Sequence, residues 1–232
     1  MSTSRRRKRA TQDPQLVIFD CDGVLVDSLA IACDLLARML TAEGLPTTLT
    51  EARRDYQELL LADVVSRVEA KLARRLPHDW LERYERDRAE AFGRELTAVE
   101  GAGETVRGIS AAGIAVCVAS QGRLEKTRLS LGLTGLLGLF GSDALFSAYS
   151  VPRGKPHPDV FLHAAAAMNA EPSRCVVVED TSSGVRAAVS AGMRAVGYVA
   201  DSDEPALREA GAEIVRSLKD LPALLGIVMA ER

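Results

Sequence analysis

One short apolar segment stands alone near the start of the chain, and it constrains the whole fold. Residues 16–19 read LVIF, which is the length and character of a buried β-strand, and they end at the polar turn Asp20-Cys21-Asp22-Gly23. No strand pattern follows between residues 28 and 96. Because a single strand is not stable without partners, this strand must pair with strands from later parts of the chain.

The segment after this first strand has helical patterns. Apolar residues recur at helical spacing over residues 29–43, and Gly44 then supplies a stop signal. Residues 51–76 and 80–96 also predict helices, and the second of these begins after Asp79, with Glu82 at capping-box spacing. We therefore expect a block of helices here.

Beyond Gly101 the pattern changes to short β-branched runs that alternate with helical segments. Residues 114–118, 175–178 and 195–199 predict strands. Strands that alternate with helices are typical of a parallel sheet. The first strand joins this sheet, so the helical block must be an insertion.

The sequence therefore predicts an α/β fold, with a Rossmann-like parallel-sheet core and an inserted α-helical cap. The predicted division has three parts. Residues 1–14 form a basic, disordered tail, residues 28–96 form the helical cap, and residues 15–27 and 97–232 form the catalytic core.

The charge distribution argues against a nucleic-acid partner. The 232-residue chain has a formal net charge of −3, and five of its positive charges lie together at residues 5–9. Without that run the formal charge falls to −8, which is a poor match to a polyanion. A solvated tail is the favoured interpretation of the basic run.

The remaining composition predicts a cytoplasmic protein. The apolar runs are far shorter than the roughly 20 residues of a membrane-spanning helix, so no membrane association is expected. The basic run is not followed by the apolar stretch of a secretory signal. The four cysteines are widely spaced and include no CxxC pair, which argues against a zinc site and favours a reducing compartment. We expect a monomer or weak dimer.

Polar side chains follow three of the predicted strands. In open parallel sheets, ligands bind outside the carboxyl ends of the strands. Lys155, one of only five lysines, lies between two of these strands in the sequence. The polar residues at the three strand ends are Asp20, Asp22, Ser120, Gln121, Glu179 and Asp180.

Convergence of these turns would require a cation. Two like charges about 4 Å apart repel by roughly 4 kcal/mol at an effective dielectric constant near 20, so four carboxylates could not all remain ionised together. Oxygen ligands without histidine or cysteine favour Mg²⁺. A phosphate would be the natural partner of Lys155. The residues thus predict phosphoryl transfer with a carboxylate nucleophile.

Each residue also has an ordinary structural interpretation. The segment Asp-x-Asp-Gly is compatible with a simple turn, and Ser120 with a helix cap. Lys155 taken singly is most simply a surface residue, and Glu179 with Asp180 a polar strand end. Their occurrence together and in this order favours the functional interpretation.

Four segments resemble the motifs of the haloacid dehalogenase superfamily. They are residues 20–28, DCDGVLVDS; residues 118–120, VAS; residues 154–159, GKPHPD; and residues 178–185, VEDTSSGV. The similarity extends from residue 16 to about residue 200. The helical cap between the first two motifs resembles the branch that contains beta-phosphoglucomutase, phosphoglycolate phosphatase and a 6-phosphogluconate phosphatase-like group.

The resemblance implies a role for each acidic residue. Asp20 would be the nucleophile that forms an aspartyl-phosphate, and Asp22 would be the general acid and then the general base. That dual role leads us to expect a raised pKa for Asp22. Mg²⁺ would bind to Asp20, to the backbone carbonyl of Asp22 and to Asp180, with Glu179 as a further ligand or as the holder of a metal-bound water.

The resemblance also implies how the substrate is bound. Ser120 and Lys155 would hold the phosphoryl oxygens. Gln121 stands where relatives often have asparagine, and it is a candidate for substrate contact. Arg53 and Arg54 could reach a second anionic group, although a solvated helix face is the favoured interpretation.

The expected function is Mg²⁺-dependent hydrolysis of a small phosphorylated metabolite, a sugar or sugar-acid phosphate. A beta-phosphoglucomutase-like transfer would use the same core, and a haloacid dehalogenase would need neither Asp22 nor Mg²⁺. A non-catalytic phosphate-binding protein would be expected to lack a core residue. Beta-phosphoglucomutases have a histidine twelve residues after the nucleophile, where this chain has Ala32. Alanine can neither donate a hydrogen bond nor titrate, which favours the phosphatase.

Overall fold

A computed structural model of the protein describes residues 14–199 and 202–227. Within these ranges the chain forms one six-stranded sheet in which all paired strands are parallel. The strands are β1 (Leu16–Phe19), β2 (Ala115–Ser120), β3 (Leu145–Ser147), β4 (Cys175–Glu179), β5 (Arg194–Tyr198) and β6 (Glu213–Val215). This sheet, flanked by helices, confirms the predicted α/β class.

Strand β1 lies in the middle of the sheet, where the order is β3-β2-β1-β4-β5-β6. Leu16 is in register with Ala115 of β2 on one side and with Cys175 of β4 on the other. All four residues of β1 are completely buried. An interior strand of a parallel sheet is covered on both faces, which explains why its sequence is a continuous apolar run.

The strand order reverses direction at β1. The chain proceeds from β1 through β2 to β3 on one side and then returns to β4 on the other. Such a reversal leaves a crevice at the carboxyl ends of the adjoining strands, because the connections leave in opposite directions. The turns after β1, β2 and β4 therefore open into one crevice.

The structure has ten α-helices within the described ranges. They are α1 (Leu29–Ala42), α2 (Leu49–Tyr56), α3 (Leu61–Leu72), α4 (Trp80–Glu95), α5 (Ala102–Ala111), α6 (Leu124–Leu133), α7 (Asp159–Ala167), α8 (Ser182–Ser190), α9 (Glu204–Ala210) and α10 (Leu221–Leu224). The first four follow one another without an intervening strand. They share a hydrophobic cluster of their own, in which Leu40, Val68 and Trp80 are fully buried.

Two chain segments connect the α1–α4 block to the sheet, and they are hydrogen-bonded to each other. The Asp27 N–H donates to the Thr97 carbonyl at 3.0 Å, and the Val99 N–H donates to the Leu25 carbonyl at 3.0 Å. With the separate cluster, this paired crossing supports the proposal that residues 28–96 are a cap on a core of residues 15–27 and 97–232. The predicted tail, residues 1–14, lies outside the described residues except for Pro14.

Several local predictions are wrong. The helix predicted over residues 51–76 is two helices, because the chain turns at residues 57–60 between α2 and α3. Asp79 precedes α4, but its side chain makes no capping hydrogen bond and instead pairs with Arg83. A capping box does form at Thr48 and Glu51, where none was predicted. Strands β3 and β6 were also not predicted, since three residues are too few for a clear pattern.

Candidate active site

Three adjacent strands bring the polar residues to one edge of the sheet. Asp20 directly follows β1, Ser120 is the last residue of β2, and Glu179 is the last residue of β4. The Asp20 N–H donates to the Val178 carbonyl at 2.9 Å, which joins the turn after β1 to the end of β4. The convergence expected from parallel strands is therefore present in the structure.

Gly23 allows the turn after β1 to approach the turn after β4 closely. Its φ of +79° lies in the left-handed region, where other residues are strained. A Cβ atom at this position would overlap the Asp180 carboxylate and crowd Leu29. Glycine in the DCDG turn is therefore required by both the backbone conformation and the packing.

The Lys155 side chain joins two of the acidic residues. Its Nζ atom donates to Asp20 at 2.5 Å, to Glu179 at 2.6 Å and to the Ala119 carbonyl at 3.0 Å. The ammonium group and both carboxylates are buried. Charged groups removed from water must be paired, and here one lysine compensates two carboxylates, which leaves a negative excess.

Asp20, Glu179 and Asp180 have oxygen atoms within 4.8 Å of one another. The pKa of Asp20 is raised to about 7, chiefly by burial; Lys155 opposes this shift and Glu179 adds to it. Burial and the charge of Glu179 also raise the pKa of Asp180. The Asp180 Oδ1 atom is buried and has no hydrogen-bond partner. An unpaired carboxylate oxygen in an all-oxygen cluster fits Mg²⁺, because a hard cation would supply both the missing partner and the missing charge.

Glu179 is fixed in place by the turn that follows it. While its Oε1 atom accepts from Lys155, its Oε2 atom accepts from the Asp180 and Thr181 N–H groups at 3.1 and 3.2 Å and from the Thr181 hydroxyl at 2.9 Å. A Cβ atom at Gly184 would overlap this carboxylate. Glu179 is therefore a preorganised group whose orientation depends on the start of α8.

Ser120 and Gln121 occupy the end of β2 and the turn after it. The Ser120 hydroxyl is buried and accepts from the Gly122 N–H at 3.0 Å. The Gln121 side chain accepts from the Lys155 N–H at 3.0 Å and donates to the Glu58 carbonyl at 3.5 Å. Gln121 thus connects the backbone at Lys155 to the loop between α2 and α3.

Asp22 is held by two groups that the sequence did not predict. The Lys126 ammonium and the Ser28 hydroxyl both donate to its Oδ1 atom. Burial, the largest single influence, would raise the pKa of Asp22, but the combined effects of Lys126, Ser28 and Arg88 outweigh it and the pKa is lowered. The expectation of a raised pKa is therefore wrong for this structure, because a buried lysine lies beside the carboxylate. Lys126 lies in the first turn of α6, directly after the turn that follows β2. This position in the sequence could have indicated that Lys126 lies near the strand ends.

A small cavity of about 60 Å³ lies among these groups, next to Asp20, Asp22, Gln121, Lys155 and Asp180. The helical block contributes Gln57 and Glu58 to its wall. The pKa of Glu58 is raised by burial and then by the charge of Glu179. The cavity can therefore hold a small polar group, and the chain places a further carboxyl group beside it.

Most of the predicted site residues meet in the structure. Asp20, Asp22, Gln121, Lys155, Glu179 and Asp180 all line the small cavity. Ser120 lies at the adjoining strand end, outside the cavity wall. Arg54 is exposed and pairs with Asp55, as expected for a solvated helix face.

The family model of the haloacid dehalogenase-like hydrolases matches residues 14–192, which include all four motifs. Among curated relatives, the 6-phosphogluconate phosphatase of Escherichia coli is 32% identical over 211 residues, covering 90% of this chain and 94% of that protein. Hexitol phosphatase A of E. coli is 30% identical over 195 residues, covering 83% and 86%.

The solved structures agree with this placement. A haloacid dehalogenase family hydrolase from Deinococcus radiodurans, determined with bound phosphate and sodium, has a TM-score of 0.75 and 32% identity. The match covers 94% of this chain and 100% of that one. In the described residues no helix is both long enough and apolar enough to cross a membrane.

The fold, the motifs and these comparisons define the class of protein. The chain belongs to the haloacid dehalogenase-like hydrolases, which confirms the family resemblance seen in its motifs. Within that family it is a phosphatase.

Proposed function

We propose that this phosphatase hydrolyses a small phosphorylated metabolite, a sugar or sugar-acid phosphate, through an aspartyl-phosphate on Asp20, with Mg²⁺ as cofactor. The observation that supports the proposal most strongly is the buried arrangement around Asp20. The Lys155 ammonium donates to the Asp20 carboxylate, and oxygen atoms of Asp20, Glu179 and Asp180 cluster together beside it. This arrangement suits a nucleophile that must attack an anionic phosphorus centre.

Lys155, Ser120 and Gln121 are the proposed phosphate- and substrate-binding residues. The Lys155 ammonium is buried beside the nucleophile, so it is suited to offset the charge of the phosphoryl oxygens in the transition state. The Ser120 hydroxyl can donate a hydrogen bond while it accepts one from the Gly122 N–H. Gln121 lines the cavity and is suited to contact the substrate beside Lys155.

The proposed reaction has two steps. An Asp20 oxygen attacks phosphorus in line as the bond from phosphorus to the ester oxygen breaks, and Asp22 gives its proton to the departing alkoxide. Asp22 then accepts a proton from water as that water attacks the aspartyl-phosphate, which releases inorganic phosphate and restores Asp20. Lys126 and Ser28 favour the ionised form of Asp22, which is the form required in the second step. The protonated form required in the first step is favoured when the anionic phosphate lies beside this carboxylate, because a like charge raises its pKa.

The proposed metal ligands are the side chains of Asp20, Asp180 and Glu179 and the backbone carbonyl of Asp22. When bound there, Mg²⁺ would neutralise carboxylate charge and polarise a phosphoryl oxygen. The raised pKa values of Asp20 and Asp180 indicate that the cluster is short of positive charge, since burial without a cation favours the neutral acids.

The two alternative activities have less support. Ala32 lines the larger cavity beside Asp22, where a mutase of the beta-phosphoglucomutase type would need a polar group to assist the general acid. A haloacid dehalogenase would use Asp20 without needing a metal cluster or Asp22. The four buried free cysteines agree with the proposed cytoplasmic location. No nucleic-acid or membrane partner is proposed.

The test is phosphate release from a panel of phosphorylated sugars and sugar acids, with and without chelation. We expect hydrolysis of at least one such ester in Mg²⁺, loss of activity in excess EDTA, and recovery when Mg²⁺ is restored, because the clustered carboxylates need a cation around the anionic substrate. Full activity after exhaustive chelation would refute the metal assignment. Sustained isomerisation of beta-glucose 1-phosphate, faster than phosphate release, would favour the mutase.

A further inference from the structure

A second cavity, of about 130 Å³, adjoins the phosphate site and differs from it in character. It shares Asp22, Leu29, Gln57 and Gln121 with the small cavity, so a group bound in it would continue from the phosphate toward the helical block. The rest of its wall is mainly apolar or aromatic, from α1, α3, α4 and the α2–α3 loop. This position is where the leaving-group half of a substrate must lie.

Four charged residues line this cavity, and one of them is already neutralised. They are Asp22, Arg88, Arg123 and Lys126. Arg123 pairs with Glu85 at 3.2 Å, and Glu85 is not part of the cavity wall. The other two cations therefore face the single carboxylate of Asp22.

Lys126 and Arg88 are held against aromatic rings. The side chain of Lys126 is almost fully buried, contacts Asp22 and lies 5.8 Å from the centre of the Phe92 ring. Arg88 lies over the Tyr84 ring at 5.2 Å, and none of the carboxylates in the described ranges forms an ion pair with it. Aromatic faces attract cations, but they do not neutralise them.

The charges lining the cavity leave one unit of positive charge without a partner. Arg88 and Lys126 contribute two positive charges, and Asp22 contributes one negative charge. An apolar wall makes an uncompensated cation unfavourable, so a ligand anion would gain a strong, charge-assisted interaction. A carboxylate on the substrate would therefore supply the anionic partner that Arg88 lacks among the described residues.

We propose that Arg88 and Lys126 bind a carboxylate on the leaving-group half of the substrate, so that the enzyme selects phosphorylated sugar acids over neutral sugar phosphates. This inference rests on the proposed function, because it assigns the substrate class of the same site. It makes Arg88 and Lys126 determinants of specificity, in addition to the effect of Lys126 on the pKa of Asp22.

The test compares two substrates that differ only at the end remote from the phosphate. 6-Phosphogluconate has a carboxylate there, and D-glucitol 6-phosphate has a neutral hydroxymethyl group. We expect kcat/KM to be about 10- to 100-fold higher for the acid, as is typical for a hydrogen bond to a charged group. Glucose 1,6-bisphosphate serves as the doubly phosphorylated comparison, and we expect a lower kcat/KM for it than for the acid.

Arg88→Met is the informative variant. Lys126 forms an ion pair with Asp22, so its replacement would also disturb that residue, whereas Arg88 forms no ion pair with Asp22. Arg88→Met should lower the ratio of kcat/KM for 6-phosphogluconate to kcat/KM for D-glucitol 6-phosphate by about 10-fold or more, because any effect of Arg88 on the pKa of Asp22 is common to both substrates. The matched control is Arg86→Met, on the exposed side of the same helix. Arg86→Met should leave kcat/KM unchanged for both substrates.

p-Nitrophenyl phosphate separates failure of this inference from failure of the proposed function. If the wild-type enzyme does not hydrolyse this simple ester or any sugar phosphate, the proposed function fails and the inference fails with it. If the ester is hydrolysed but the acid is not preferred, or Arg88→Met affects both sugar substrates equally, only the carboxylate assignment is overturned. A higher kcat/KM for the bisphosphate would also overturn it.

Discussion

The two cavities beside Asp22 are built by different parts of the fold and have different physical characters. The small one lies at the carboxyl ends of the strands, where buried lysine and carboxylate groups are fixed by short hydrogen bonds. The larger one is lined mainly by apolar and aromatic side chains of helices, with a few cations at its wall. The reaction is thus assigned to the sheet edge, and the choice of substrate to the wall of the larger cavity.

The strand-end turns and the α1–α4 block also differ in how they are packed. The turns after β1 and β4 leave no space for a Cβ atom at Gly23 or Gly184, because the Asp180 and Glu179 carboxylates pack directly against these glycines. The α1–α4 block packs on a hydrophobic cluster of its own, separate from the cluster that surrounds the sheet. Variants at the strand ends should therefore affect every substrate, and variants in the helical wall only some.

The largest effect is expected for Asp20→Asn. An amide keeps the shape of the carboxylate but is a poor nucleophile, so phosphate release should fall by about 10⁴-fold or more for every ester tested. Acid-quenched samples should contain phospho-enzyme in the wild type and none in the variant. Asp143→Asn, at an exposed loop position, is the matched control and should retain full activity. Phospho-enzyme in Asp20→Asn would show that another residue is the nucleophile.

Asp22→Asn should have the next largest effect. Loss of a general acid and base typically costs about 10² to 10⁴ in rate, and the loss should be greatest for esters with poor leaving groups. Comparing kcat for a sugar phosphate and for p-nitrophenyl phosphate measures this difference. An equal loss for both esters would indicate that Asp22 acts through position rather than proton transfer. A loss confined to acidic substrates would contradict the division between the two cavities.

The smallest effect concerns stability. Because burial raises the pKa of Asp20 to about 7 and an unfolded aspartate has a pKa near 4, the folded protein binds an extra proton between about pH 4 and pH 7. The free energy of unfolding therefore falls as the pH rises through this window. Without metal, Asp20→Asn should raise Tm at pH 8 and raise it by less at pH 5, because the wild type carries the buried negative charge only at the higher pH.

Differential scanning calorimetry in EDTA measures this shift, again with Asp143→Asn as the control. Added Mg²⁺ should raise the Tm of the wild type at pH 8, because a ligand that binds only the folded state stabilises it. A Tm for Asp20→Asn at or below the wild-type value at pH 8 would mean that the pair with Lys155 fully compensates the buried charge.

Much of the sheet was predictable because its signals are local. The apolar run before Asp20 predicts a buried strand, and its isolation predicts an insertion. The rule that ligands bind at the carboxyl ends of parallel strands then predicts that Asp20, Lys155 and Glu179 come together. The structure has these contacts.

The helical region was less predictable because its decisive features are tertiary. Apolar spacing continued across residues 57–60, so the break between α2 and α3 had no local signal, yet this break brings Gln57 and Glu58 to the phosphate cavity. The spacing of Asp79 and Glu82 suggested a cap, but the Asp79 side chain pairs with Arg83 instead.

The sequence by itself determined the α/β fold, the family and the set of polar residues at the strand ends, because strand period, turn chemistry and motif spacing are properties of neighbouring residues. Only the tertiary structure decided the environment of Asp22 and the charge of the larger cavity. Lys126 is 104 positions from Asp22, and Arg88 comes from a helix in the insertion. A pKa and a cavity's charge depend on which groups meet across such separations, and no local pattern specifies that.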